Sequence, residues 1–435
     1  MADHNITIPG PIAAGDRIIV TVGSVPTPTP VPPTPPPVIT PLPPTNLSAA
    51  LAALPAGGTA VIPAAAYTLT APIVTKVGQR IEFRPGVSVN GAGIGRWIDV
   101  PANDVTLDLG TSVWRGCNNP NPEQGAIYVA PGALRTRITG GDLGDVVGSI
   151  LRAGGMDGTY DGLDIHGAGH LGIHFAMGVR NQFVSRTRTF KLHDNSTTTG
   201  TSGHESGGAK GVGHRGIVFD GLHVYSNKGP GIWTDSVPPY LSYDISIRNS
   251  KVWANAGAGL FLEITDGVIA EDNACWDNGG PASLASSVAF DWGNITVASS
   301  RRVRVRRNAV RGGRAGINVF AQARNDAPGS ALQLFDARIT DIHVYDNWFI
   351  ALGDWIAMAW ASDTASVPLF GGANDATNNR FRYPGAENAS PRFAAGGGYR
   401  STLAQLRAAA GGLMAKGDTR YMTAAERATV DARFA

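Results

Sequence analysis

The chain has 435 residues, 56 of them glycine, and its 36 basic and 34 acidic side chains leave a formal net charge of +2. Charged residues make up 16%, well under the ~25% of ordinary domains. With 43% apolar residues, the chain is too apolar and too weakly charged to be disordered. It has no three-residue glycine period for collagen, and no apolar run of about 18 residues for a membrane span.

The basic residues are 30 Arg and 6 Lys, a bias that a GC-rich genome produces without functional meaning. A near-neutral balance does not point to nucleic acid. Cys117 and Cys275 cannot make a disulfide framework. The start, MADHNITIPG, lacks a basic stretch followed by an apolar one, so no ordinary secretory signal is expected.

Residues 1–24 hold two strand-like runs, Ile6-Thr7-Ile8 and Arg17 to Val22, around a Pro-Gly-Pro turn. A piece this small has no core of its own, and an N-terminal anchor is expected. Of the 29 prolines, 11 lie between Pro26 and Pro44. Residues 25–44 are therefore expected to be a stiff polyproline linker, reaching roughly 60 Å at about 3.1 Å per residue. An inert interdomain linker is the competing reading. Residues 45–395 form the main body, and 396–435 a small helical tail. In that tail, Ser401 to Ala410 and Thr423 to Arg433 each begin with a capping residue. Glu426 three residues after Thr423 completes a capping box.

The body repeats. Ile217–Asp235, IVFDGLHVYSNKGPGIWTD, aligns without gaps over Ile245–Glu263, ISIRNSKVWANAGAGLFLE, at an offset of 28. Ile217/Ile245, Val224/Val252, Asn227/Asn255, Gly229/Gly257 and Gly231/Gly259 are identical. Further copies run through Glu271 to Gly279 with Val288 to Asp291, through Val303 to Phe320, and through Ile342 to Trp360. Short β-branched segments between Asn/Gly turns at such a period suit a solenoid in which each repeat is one coil of a parallel β-helix. Val224, Val252 and Cys275 should then stack inside. Asn227, Asn255 and Asn278 should form a side-chain ladder.

Four segments carry a resemblance: Asn46 to Leu69 (NLSAALAALPAGGTAVIPAAAYTL), His204 to Val212 (HESGGAKGV), Gly229 to Asp235 (GPGIWTD) and Ala258 to Thr265 (AGLFLEIT). The sequence resembles the right-handed parallel β-helix proteins of the pectate-lyase-like superfamily, which include phage tailspikes and polysaccharide-degrading enzymes. The resemblance implies an all-β, right-handed parallel β-helix with a helical N-terminal cap. It also implies a bacterial surface or extracellular polysaccharide as partner. Lack of a long β-rich C-terminal domain departs from trimeric tailspikes, and leaves a homotrimer an open expectation.

Strand alternation points Asp235, Glu263 and Asp291 outward at a spacing of 28 and 28, a column of carboxylates about 5 Å apart. Glycoside hydrolysis needs two carboxyls, about 5–5.5 Å apart for retention, which adjacent coils fit, and about 6.5–9.5 Å for inversion, which coils two apart approach. This column is the candidate catalytic set, with Trp233 and Phe261 beside it as sugar-stacking residues. A Ca²⁺ site of carboxylate oxygens and a solvated acidic stripe are the alternatives; no cofactor is required for the catalytic reading. Tyr225, Trp253 and Trp276 form a second outward row, continued by Arg311. It reads as a sugar-binding surface or a stacked ladder. Glu205 and Lys210 are further substrate-binding candidates, Lys210 as a base or an anchor for an anionic sugar.

His166, His170 and His174 are four apart, but their Gly-rich context reads as strand-turn-strand, where they do not converge on a metal. The run Arg301 to Arg314 holds seven arginines. It either binds anionic polysaccharide or balances nearby acids, the latter being favoured. Two functions stay open: a polysaccharide-cleaving enzyme, hydrolase or lyase, and a non-catalytic glycan-binding or structural appendage. The expected location is a virion or other extracellular appendage, with residues 1–24 anchored to a virion or appendage protein; secretion is the alternative.

Overall fold

The computed structural model describes residues 46–434 apart from 122–123, 186–189, 199–205, 237–240, 281–291, 322–338, 352–355, 363–372, 384–392, 397 and 415–416. The expected anchor and linker, Glu205 and Asp291 lie outside the described residues.

Asn46 caps a short helix, Leu47–Ala53, by accepting from the Ala49 amide at 3.0 Å. Leu47 and Leu51 are buried. At the other end Lys76 Nζ donates to the Ala52 and Leu54 carbonyls at 2.7 and 3.0 Å, satisfying groups that a helix leaves open. From Thr59–Ile62 onward the chain coils. Among the described residues the strands assemble into a 22-stranded and a 13-stranded sheet, with parallel pairing except between Phe393–Ala395 and Gly398–Arg400.

Alternation decides what faces in. One interior column runs Leu192, Val224, Val252, Cys275, Val310, Phe349, Phe381, each in register with the next. The expected stack of Val224, Val252 and Cys275 is therefore present, and all three are fully buried. Burial also pushes the Cys275 thiol above its ordinary range.

The asparagines of the turns are buried and linked. Asn195, Asn227, Asn255, Asn278 and Asn294 pass side-chain hydrogen bonds from coil to coil at 3.0, 2.8, 2.8 and 2.8 Å. A second ladder, not seen in the sequence, joins Asn273, Asn308, Asn347 and Asn379 at 3.0, 3.1 and 3.1 Å. The residue before most ladder asparagines is left-handed: φ is 55° at Ser226, 54° at Ala254 and 55° at Asp277. That kink turns the chain sharply, and the following amide satisfies the carbonyls exposed by the corner.

The tail does more than form helices. Arg420–Tyr421 adds another parallel rung, on Arg380–Arg382. Helix Ala424–Asp431 follows, with the expected Thr423/Glu426 capping box. Beyond it, Arg433 donates to the Arg307 carbonyl at 2.6 Å, and Phe434 meets Trp276 edge-on at 5.7 Å. The arginine run is paired with acids, as favoured. Arg301 and Arg302 meet Asp266, Arg304 meets Asp341, and Arg306 and Arg307 meet Glu271.

Candidate functional site

The outward face of the 13-stranded sheet concentrates the chemistry. One column on it runs in register through Tyr128, Arg152, His174, Lys210, Trp233 and Phe261, at about 4.8 Å per coil. Its first half was not legible in sequence, because the coils there are unequal in length: Arg152 to His174 is 22 residues and His174 to Lys210 is 36. The Tyr128 ring lies between two guanidinium groups, Arg96 at 4.0 Å and Arg152 at 4.8 Å. His166 and His174 belong to different sheets, so those histidines do not converge.

Asp235 and Glu263 end successive strands, Ile232–Asp235 and Leu260–Glu263, whose register runs through Trp233↔Phe261 and Thr234↔Leu262. Asp235 and Glu263 thus stand at equivalent ends of adjacent rungs. The next coil differs. Ile295–Ala298 pairs with Leu260–Glu263 and places Ala298 opposite Glu263, so the position expected for Asp291 in the column is taken by an alanine. Glu263 to Ala298 is 35 residues rather than the expected 28.

The surroundings are drier than strand alternation suggested. Lys210 is 3% exposed and Glu263 is 7% exposed. Lys210 sits in strand Ala209–Val212. Its ammonium lies 3.7 Å from Asp235 Oδ2 and 3.6 Å from the centroid of the Trp233 ring. The Trp233 indole donates Nε1–H to Glu263 Oε2 at 2.9 Å. Phe261 is buried and tilts against Trp233 at 5.3 Å and against Trp292 at 5.7 Å. The faces of Trp233 are thus engaged by Lys210 and Phe261, which corrects its expected use as an open sugar platform. Trp292, half-buried at the edge of this cluster, was missed in sequence because it lies in an irregular segment.

Tyr225, Trp253 and Trp276 lie on the other sheet and form the ladder alternative. Tyr225 and Trp253 stack at 4.4 Å and 11°, and Trp253 and Trp276 at 4.9 Å and 2°. The stack extends N-terminally to His193 and His166, at 4.6 and 5.1 Å. Sugars bind aromatic rings through a free face, and the faces of Tyr225 and Trp253 are covered on both sides. Arg311 continues it in register and packs over Phe434 at 4.4 Å.

Residues 127–290 match the family model described as a right handed beta helix region. No curated protein sequence matches the chain. Among solved structures, the Dettilon tailspike protein is similar at 13% identity with a TM-score of 0.43, over 78% of this chain and 62% of that one. The A-module of Azotobacter vinelandii mannuronan C-5 epimerase AlgE6 is similar at 12% identity and a TM-score of 0.46, over 84% and 90%. A PL6 family alginate lyase is similar at 12% identity and a TM-score of 0.45, over 80% and 52%. The chain thus spans less than two thirds of the tailspike and about half of the lyase. Among the described residues, no helix is long and apolar enough to cross a membrane.

Proposed function

We propose that this right-handed parallel β-helix binds a polysaccharide along the outward face of its 13-stranded sheet and cleaves it with Asp235 and Glu263. The observation that carries the reading is the placement of two carboxylates at the same end of successive rungs, packed against Lys210, Trp233 and Phe261. Adjacent rungs are about 4.8 Å apart, close to the ~5–5.5 Å carboxyl separation of retaining hydrolysis. One carboxyl protonates the departing glycosidic oxygen. The other attacks the anomeric carbon, and water then releases the sugar. The reading requires no cofactor, and a Ca²⁺ ion held by carboxylate oxygens is compatible with it.

The test is release of reducing ends from purified bacterial capsule or lipopolysaccharide by the wild type, Asp235→Asn and Glu263→Gln, with circular dichroism as folding control. Release by the wild type and its loss in both folded variants supports the reading. Wild-type rates in both variants overturn it.

A second reading is a non-catalytic glycan-binding appendage. It is favoured by the mutual satisfaction of Lys210 with Asp235 and of Trp233 with Glu263, which suits a rigid surface as well as a reacting one. Glycan binding without cleavage by the wild type selects it. Under either reading residues 1–24 anchor the chain to a virion or other extracellular appendage and residues 25–44 space it. Unchanged assembly after deleting 1–44 would remove the anchor, and a monomer at high concentration the homotrimer.

A further inference from the structure

We infer that the segment from Arg420 to Phe434 is a strap. It runs back along the outside of the solenoid and makes the coils from Trp276 to Tyr421 open as one unit. The inference stands apart from the cleavage reading.

The rungs concerned are consecutive. Ala274–Trp276 pairs with Ala309–Arg311, and the series continues through Trp348–Ile350 and Arg380–Arg382 to Arg420–Tyr421. After Arg420–Tyr421 the chain turns back through helix Ala424–Asp431 and a 3-10 turn, Ala432–Phe434. Its contacts step backwards through the rungs. Glu426 meets Arg420 at 2.8 Å and Arg380 at 3.4 Å. Asp431 takes Arg382 through both carboxylate oxygens at 2.9 Å. Val430 is buried in a cluster with Ile350 and Ala309. Phe434 reaches Arg311 and Trp276. The lengths agree. An α-helix of 8 residues and a 3-10 turn of 3 advance about 18 Å at about 1.5 and 2 Å per residue. The stack from Trp276 to Tyr421 rises about 19 Å at about 4.8 Å per rung.

A solenoid coil touches only its neighbours, so an end coil opens by losing one interface. The strap changes that. Arg420–Tyr421 is tied to Arg380–Arg382 by strand pairing and to Trp276 through the helix, so the outer coils leave the stack only when the strap does. Its exposed ion pairs contribute little. The hold comes from groups taken out of water. Val430 and Met422 are buried with Ala309 and Ile350, and Trp348 packs beside them. Burial works against the charge of Arg433, and the Arg307 and Asn273 carbonyls compensate at 2.6 and 3.4 Å. Those carbonyls stand at the corners of two adjacent coils, whose ladder asparagines Asn273 and Asn308 are joined. Phe434 fixes the far end, with the Arg311 guanidinium 4.4 Å over its ring and Trp276 edge-on at 5.7 Å. Trp276 lies in the coil that also carries Glu263, since Leu260–Glu263, Thr265–Glu271 and Ala274–Trp276 follow one another along the chain. The strap thus ties the outermost rung to a coil of the candidate site.

Native-state hydrogen exchange on the full chain, read by mass spectrometry, tests this. Phe434→Ala removes a contact made at Trp276, far along the stack from Arg420–Tyr421. Exchange should rise about tenfold, by one common factor, in Trp348–Ile350, Arg380–Arg382 and Arg420–Tyr421. Arg80–Phe83 and Ser88–Asn90, at the other end of the solenoid, should keep wild-type rates. Arg433→Met should accelerate the same C-terminal strands together, and Phe434→Leu should recover most of the protection lost in Phe434→Ala. Faster exchange confined to Ala432–Phe434 overturns the strap, because the tip would then fray by itself. Equal acceleration of the N-terminal rungs also overturns it, as the mark of a global loss of stability with no unit behind it. Wild-type rates throughout in both Phe434→Ala and Arg433→Met would do the same.

Discussion

Trp233 and Glu263 are joined across adjacent coils by a 2.9 Å hydrogen bond from the indole Nε1 to Oε2. The bond runs along the outer surface of the sheet, yet Glu263 is buried. A surface column of a solenoid has become a small outer core, with Phe261, Ala298 and Trp292 packed around it.

That burial changes what substitution should do. Strand alternation alone suggests that Asp235→Asn and Glu263→Gln leave stability untouched, since both side chains leave the interior. Instead Asp235→Asn removes the carboxylate that lies 3.7 Å from the buried Lys210 ammonium. Removing one partner of a buried pair costs about 3–5 kcal/mol. Urea unfolding should show Asp235→Asn less stable than Glu263→Gln, with Lys210→Met restoring part of the loss in the double variant. In each variant that stays folded, turnover should fall by about 10²–10⁴-fold. A double variant no more stable than Asp235→Asn would count against the ion pair.

The asparagine ladder is the second target. Asn255 accepts from Asn227 Nδ2 at 2.8 Å and donates to Asn278 Oδ1 at 2.8 Å and to the Val224 carbonyl at 3.2 Å. Asn255→Ala strands buried groups on both sides, each worth about 1–3 kcal/mol. The expected result is a fall in denaturation midpoint larger than for alanine at an exposed turn residue. A change under about 0.5 kcal/mol, typical of surface sites, would show that the ladder contributes little.

The corner before it offers a gain. Ala254 is exposed and has φ of 54°, a conformation that costs a side-chain-bearing residue roughly 1–2 kcal/mol. Ala254→Gly removes that strain, partly offset by glycine's greater freedom in the unfolded chain. The variant should melt above the wild type, and a lower melting temperature would contradict the strain argument.

Two histidines should give opposite pH dependences. His214 is buried, and burial holds it down to about 3. Unfolding frees it to take a proton at its ordinary value near 6.5. It therefore costs stability as pH falls from about 6.5 toward 3. His214→Gln should keep more of its pH 7 stability at pH 4 than the wild type does. His193 is the reverse. Burial works against its charge, but the carboxylates of Asp164 at 2.9 Å and Asp194 at 2.7 Å outweigh it and raise its value. Its contribution is fully present below about 6.5 and fades as pH rises through the raised value. His193→Asn should lose more stability at pH 5 than at pH 8. Melting curves across pH 4–8 check both signs.

The sequence by itself determined the coil. Where repeats are equal in length, spacing along the chain is spacing in space. The offset of 28 between Ile217–Asp235 and Ile245–Glu263 thus carried the Val224–Val252 core contact, the Asn227–Asn255 ladder, and the adjacency of Asp235 and Glu263. Tertiary structure decided everything that depends on unequal coils or on side-chain direction. The longer coil after Glu263 places Ala298 rather than Asp291 above Glu263, since hydrogen-bonded pairing, not residue count, sets register. Lys210 precedes Trp233 by 23 residues rather than 28, so nothing in the repeat announces that its ammonium lies over that ring. The row Tyr225, Trp253, Trp276 was legible as a column, but only the ring planes show its faces closed on one another. Composition and period report which residues share a column. The direction in which each side chain leans between columns is chosen by packing, and at Lys210 and Trp233 that choice builds the site.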